Sequence, residues 1–165
     1  MRLMAYCITA FFLIAVAAGS APAEERFSVL DVYQSHGDVM GVIVTNDPKN
    51  KAAGFAVDVV RLNKPKVRVM LGFAGAQDWQ KFAQIWLKAR RTAPPRQGFG
   101  TDIGDYFDRM FNTEITVTVD KDGSITLGIV GKPEGDLVTC LIEIEPKDLG
   151  KFDGTVKKVT DYFKD

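Results

Sequence analysis

The stretch Ala76-Gln77-Asp78-Trp79-Gln80-Lys81-Phe82 returns seventy residues later as Pro146-Lys147-Asp148-Leu149-Gly150-Lys151-Phe152. Both copies share an Asp, a large apolar residue, a spacer and Lys-Phe. Downstream of each Asp the apolar residues recur at steps of three and four: Trp79, Phe82, Trp86 and Ala89 in the first copy, Leu149, Phe152, Val156, Val159 and Phe163 in the second. That spacing draws one stripe along a helix. The Asp then marks a helix start, where a carboxylate meets the positive end of the dipole. The Phe is a core anchor, and the Lys between them faces solvent. Pro146 suits a first turn, where its missing N–H costs nothing.

Upstream of each copy the period changes to two, the signature of a strand with one face inward. Val67, Val69, Leu71 and Phe73 alternate before the first helix, and Val138, Cys140, Ile142 and Ile144 before the second. Phe55, Val57 and Val59 parallel Ile125, Leu127 and Ile129. Met40, Val42 and Val44 parallel Ile115, Val117 and Val119, whose opposite face is filled by Glu114, Thr116, Thr118 and Asp120. Lys121-Asp122-Gly123-Ser124 supplies a tight hairpin turn. The first element of each run differs. Phe27 to Gln34 has strand character, whereas Ile103, Tyr106, Phe107, Met110 and Phe111 have helix spacing, so a short helix is expected over 102–111, capped by Thr101 or Asp102.

The expected fold is α+β: an antiparallel sheet of about six to eight strands with the helices packed on one face. It is built from two tandem strands-then-helix units, 27–90 and 102–163, joined by a Pro- and Gly-rich connector at 91–101. This layout resembles, in outline, the Whirly and PC4-like single-strand nucleic-acid-binding fold; the likeness is one of layout and brings no site residue with it.

The N-terminus bounds the compartment. Arg2 is followed by an uncharged run from Leu3 to Ala18 and by Ala21-Pro22-Ala23, the pattern of a secretory leader cleaved before Glu24. The apolar run is shorter than the ~20 residues a spanning helix needs. The expected product is a soluble periplasmic or secreted domain, 24–165, with no stable membrane span. That length can bury a core without disulfides. It retains one cysteine, Cys140, which falls on the apolar side of its strand and is expected to be buried.

Charge is unevenly spread. Residues 24–100 carry 12 basic against 7 acidic side chains, and residues 101–165 carry 8 against 14. Lys88, Arg90, Arg91 and Arg96 cluster at a helix end and in the connector, and form the candidate anion-binding site, for phosphate groups or an acidic polysaccharide. Lys64, Lys66 and Arg68 add positive charge around a turn. Trp79, Phe82 and Trp86 lie on the apolar stripe and are assigned to the core rather than to a base-stacking platform. Together with the leader, that sets nucleic acid aside.

Reaction chemistry has few carriers. The single histidine, His36, sits in the turn Ser35-His36-Gly37-Asp38, and no G-x-S-x-G elbow accompanies the serines. One His and one Cys in 24–165 fall short of a usual zinc set. Asp102, Asp105 and Asp108 would line one side of the expected helix and could face calcium, and Asp120-Lys121-Asp122-Gly123 begins like a calcium loop but lacks its later ligands. No catalytic residue, metal site or cofactor is assigned. The function expected is that of an exported, non-catalytic domain binding a partner protein or ligand of the cell envelope. The alternatives are an exported hydrolase using Asp or Glu residues, and an anion- or polysaccharide-binding module.

Overall fold

The computed structural model describes residues 26–59, 67–108, 113–131 and 137–165. The expected leader at 1–23, with Lys64, Lys66, Met110 and Phe111, lies outside them. The class is α+β. Strands β1 (Phe27–Ser35), β2 (Asp38–Thr45), β3 (Ala53–Val59) and β4 (Val67–Ala74) precede helix α1 (Ala76–Arg91). Strands β5 (Gly100–Asp108), β6 (Thr113–Asp120), β7 (Ile125–Gly131) and β8 (Val138–Ile144) precede helix α2 (Leu149–Tyr162). The strand count matches the expectation. The strands are divided, however, into two antiparallel meanders, β1-β2-β3-β4 and β5-β6-β7-β8, rather than joined in one sheet. Each hairpin pairs sequence neighbours, and α1 interrupts the chain between β4 and β5.

The helix expected at 102–111 is corrected: residues 100–108 form strand β5. The misleading signal is a β-bulge. Asp102 pairs with Thr118 and Gly104 with Val117, so Ile103 is an extra residue in the ladder. Gly104, at φ 149, accommodates the irregularity. The bulge resets the alternation, so Ile103 and Tyr106 are both buried although three residues apart. Strand β1 carries the same device, with the register shifting between Val29 and Asp31, ahead of buried Tyr33. The connector is correspondingly shorter than expected, since α1 runs to Arg91 and β5 begins at Gly100.

One core cluster is shared by both sheets and both helices. In α1 the buried stripe is Trp79, Phe82, Trp86 and Ala89, as the spacing implied. In α2 it is Leu149, Phe152, Val156 and Val159, joined by Thr155. Phe55 of β3 meets the rings of Trp79 and Phe82 at 5.9 and 5.3 Å. Phe152 packs on Trp86 at 4.4 Å and on Tyr33 at 4.9 Å. Each fully buried phenylalanine stabilises by about 1.5–3 kcal/mol. Among the strands, the backbone of α1 runs nearest β5 and β6 and that of α2 nearest β1, and the two helices also approach each other.

Asp78 opens α1 and pairs with Lys81 at 2.9 Å, on the exposed side. Asp148 is the N-cap residue of α2, and Pro146 lies in the turn before it. Lys151 is exposed, as expected, and also reaches back to β1. Its ammonium contacts Asp31 at 2.8 Å and sits 4.7 Å from the centre of the Tyr33 ring.

Candidate interaction surface

Strand β2 reads Asp38-Val39-Met40-Gly41-Val42-Ile43-Val44-Thr45, apolar at six consecutive positions. Met40, Val42 and Val44 enter the core cluster. Side chains alternate along a strand, so Val39, Gly41 and Ile43 face the other way, and Ile43 is buried without belonging to that cluster. The ladder partners of β2 extend this second face. Val29 lies opposite Ile43, which lies opposite Gly54; Val32 lies opposite Gly41, which lies opposite Ala56. A Cβ on Gly41 would lie 3.8 Å from Cγ1 of Val29, confirming that both address one side. Val29 and Val32 remain 42% and 38% exposed. Asp58, opposite Val39 on one side and Arg68 on the other, brings charge only at one end.

The second sheet offers a comparison within the same molecule. Its outer rows hold Glu114, Thr116, Thr118 and Asp120 on β6, Thr126, Gly128 and Val130 on β7, and Thr139, Leu141 and Glu143 on β8, so most but not all of these positions are polar. An antiparallel sheet with one wet face carries polar residues there. The β5–β8 sheet largely does so, and the β1–β4 sheet does not.

The anion-binding candidates are only partly convergent. Lys88 donates from Nζ to the carbonyl of Ile103 at 2.8 Å. Arg90 donates from Nε to both oxygens of Asp153 at 3.1 Å. Arg91 and Arg96 are exposed. Near Arg96 in the connector, Phe99 is 99% exposed. The Asp102, Asp105 and Asp108 row forms only in part: the bulge leaves Asp102 and Asp105 opposite Thr118 and Thr116, on one face of the sheet, whereas Asp108 lies opposite Thr113 in the other register. Asp102 accepts the amide of Gly104 at 3.1 Å. Among the described residues, no group of three His, Cys, Asp or Glu side chains could hold a metal ion. The Asp120–Ser124 turn satisfies itself: Asp122 accepts the Ser124 hydroxyl at 2.7 Å, and Asp120 accepts Thr126 at 2.5 Å.

A small cavity lies where β1 meets β8 and the start of α2. It measures about 100 Å³ and is lined by Tyr33, Gln34, Glu143, Asp148 and Lys151 among others. His36, exposed in its turn at φ 49, contacts Glu143 at 2.9 Å near this seam. Behind the cavity wall a polar cluster joins α2 to β1. Thr155 donates to Asp31 at 2.8 Å, so the Tyr33 hydroxyl, 2.7 Å away, donates to Thr155. Burial raises the Asp31 pKa, but the bonds from Lys151 and Thr155 and the charges of Lys151 and Lys158 outweigh it and hold the carboxyl below its ordinary range. Burial pushes the Tyr33 phenol up to about 12, against the opposing bond to Thr155. Cys140 is 1% exposed, and burial, followed by the nearby Asp38 carboxylate, pushes its thiol up to about 12.

Among the described residues no helix is long and apolar enough to cross a membrane. No protein-family model matches this chain, and no curated protein matches it.

Proposed function

We propose that this chain is an exported, soluble, non-catalytic domain that binds a protein or ligand of the periplasm or the cell exterior through the outer face of the β1–β4 sheet. One observation carries the reading: that face is apolar, from Val29 and Val32 through Gly41 and Ile43 to Gly54 and Ala56, while the equivalent face of the β5–β8 sheet is mostly polar, with Gly128, Val130 and Leu141 as its apolar positions. Apolar residues on both faces of a strand are the mark of a sheet covered on both sides. In this reading the leader-like pattern of residues 1–23 supports an encounter outside the cytoplasm.

We also take the two strand-then-helix runs to be one unit used twice. The matched bulges ahead of Tyr33 and Tyr106, and the matched stripes of α1 and α2, support this. In this reading the repeated Asp-x-x-Lys-Phe skeleton is architecture rather than a repeated active site.

Native mass spectrometry of the protein purified from its host tests the binding reading. The expected spectrum carries added mass that the Val29→Lys/Val32→Lys variant loses while keeping its folded charge-state distribution. Wild-type protein without added mass, or a variant that keeps it, sinks the proposal.

Two other readings rest on weaker observations. Arg91, Arg96 and Phe99 are exposed together in and beside the connector, which favours an anion-binding module once Lys88 and Arg90 are spoken for. Charge reversal at Arg91 and Arg96 should then abolish retention on heparin. Glu143 and Asp148 share a cavity, the arrangement an Asp/Glu hydrolase needs, but about 100 Å³ is small beside the ~300–1,000 Å³ of ligand sites.

A further inference from the structure

We infer that the connector between α1 and β5 is a processing site: an endoprotease specific for basic side chains hydrolyses the Arg96–Gln97 bond while the rest of the folded chain stays uncut. The inference does not depend on the face through which the protein binds.

An endoprotease takes its substrate by the main chain, so residues on both sides of the cut bond must be free to leave their own partners. Residues 93–99 meet that demand. Among the described residues, no backbone hydrogen bond begins or ends on any of them. The last tie before them is the amide of Thr92, which donates to the carbonyl of Ala89 at 3.0 Å. After them the ladder with β6 begins at Gly100, opposite Asp120. Arg96 is the middle residue of the span, with Ala93, Pro94 and Pro95 ahead of it and Gln97, Gly98 and Phe99 behind. All of these are exposed except Pro95, which is half-buried. A Cβ placed on Gly98 would meet nothing within 4 Å.

Other basic residues at turns and element ends lack this freedom. Lys49 donates its amide to the Asp47 carboxylate at 2.9 Å. Lys121 lies in a hairpin turn closed by the amide of Gly123 on the carbonyl of Asp120 at 3.0 Å. Lys147 lies in a turn closed by the amide of Asp148 on the carbonyl of Glu145 at 2.8 Å. Arg91 is the last residue of α1. Phe99 is 99% exposed and would suit an enzyme selective for aromatic residues, but the chain directly beyond it is locked in β5. There a Cβ on Gly100 would lie 2.6 Å from Cγ2 of Thr118.

The step consumes one water. Its oxygen joins the carbonyl carbon of Arg96, the C–N bond breaks, and the nitrogen of Gln97 leaves with the proton as an amine. Arg96 then carries a carboxylate and Gln97 an ammonium, so the net charge is unchanged.

Brief trypsin treatment of the folded full chain, read by mass spectrometry, tests the site, and mass spectrometry of the protein recovered from its host tests the processing. The expected first products are a piece ending at Arg96 and a piece beginning at Gln97, and the host protein is expected to show the same two ends. Arg96→Gln should lose both cuts while keeping the wild-type melting temperature. Lys121→Gln should keep both. A first trypsin cut at any other basic residue overturns the inference. So does host protein that is intact across 92–99, and so does a host cut that persists at this bond in Arg96→Gln.

Discussion

The indole N–H of Trp86 donates to the carboxylate of Asp153 at 2.8 Å, tying α1 to α2 through a bond between two residues 67 positions apart. Asp153 also receives Arg90 at 3.1 Å. The indole is buried and the guanidinium is one-third exposed, so the two bonds differ in worth. Asp153→Ala is expected to cost about 1–3 kcal/mol, because it strands a buried donor. Arg90→Ala is expected to cost under about 1 kcal/mol, as an exposed pair does. Urea midpoints at unchanged slope check both.

The two tryptophans of α1 make a second comparison. Trp79 is as buried as Trp86, yet its Nε1 has no hydrogen-bond partner among the described residues. Replacing an unpaired donor by phenylalanine removes a liability along with some packing; replacing a paired one removes a bond. Trp86→Phe is therefore expected to destabilise more than Trp79→Phe. Full truncation is a packing loss, and Trp79→Ala and Phe152→Ala should each cost about 3–5 kcal/mol. A loss below ~1 kcal/mol at either alanine would place that ring outside the core.

Asp31 sets an acid limb. Its pKa is depressed in the folded chain by Lys151, Thr155 and Lys158 against the effect of burial. A depressed carboxylate contributes stability that is present above its unfolded pKa, near ~3.9, and is lost as pH falls through the folded value. Thermal stability should therefore drop below about pH 4. Asp31→Asn should lower stability at pH 7 and flatten that drop. A variant with the wild-type acid limb would remove Asp31 from it.

Cys140 gives a sharp solution test. With its thiol at about 12 and its side chain enclosed, it holds no appreciable thiolate at neutral pH. Ellman's reagent should leave the folded protein unmodified at pH 8 and titrate one thiol per 24–165 chain in denaturant. Reducing agent should change neither melting temperature nor mass. A collapse on reduction would mean that Cys140 links two chains.

The helices and their buried stripes were legible because a period of 3.6 is written locally. Trp79, Phe82, Trp86 and Ala89 need no distant information to be placed on one side. Strand β5 was misread because a bulge changes the local phase. With Ile103 extra in the ladder, Ile103 and Tyr106 acquire the spacing of a helix turn while remaining in a strand. Division of the strands into two sheets was not legible either, since alternation shows which way a residue faces but not which strand it pairs with across an intervening helix. The outer face of β2 was available in the sequence as the unbroken run from Val39 to Val44. A period-two reading takes only Met40, Val42 and Val44 from that run and leaves the other face unread. The candidate cations were visible as a cluster, but the acceptors that engage Lys88 and Arg90, Ile103 O and Asp153, are distant in sequence and emerge only in three dimensions.

The crossing of α1 toward β5 and β6, and of α2 toward β1, makes the halves interdependent. Severing the connector between Thr92 and Phe99 should not release two folding fragments. A piece ending at Arg91 loses the phenylalanine on which Trp86 rests, and the complementary piece loses the tyrosine beneath Phe152. A proteolytically nicked molecule should instead stay assembled, separate only when denatured, and regain its structure when the two fragments are mixed.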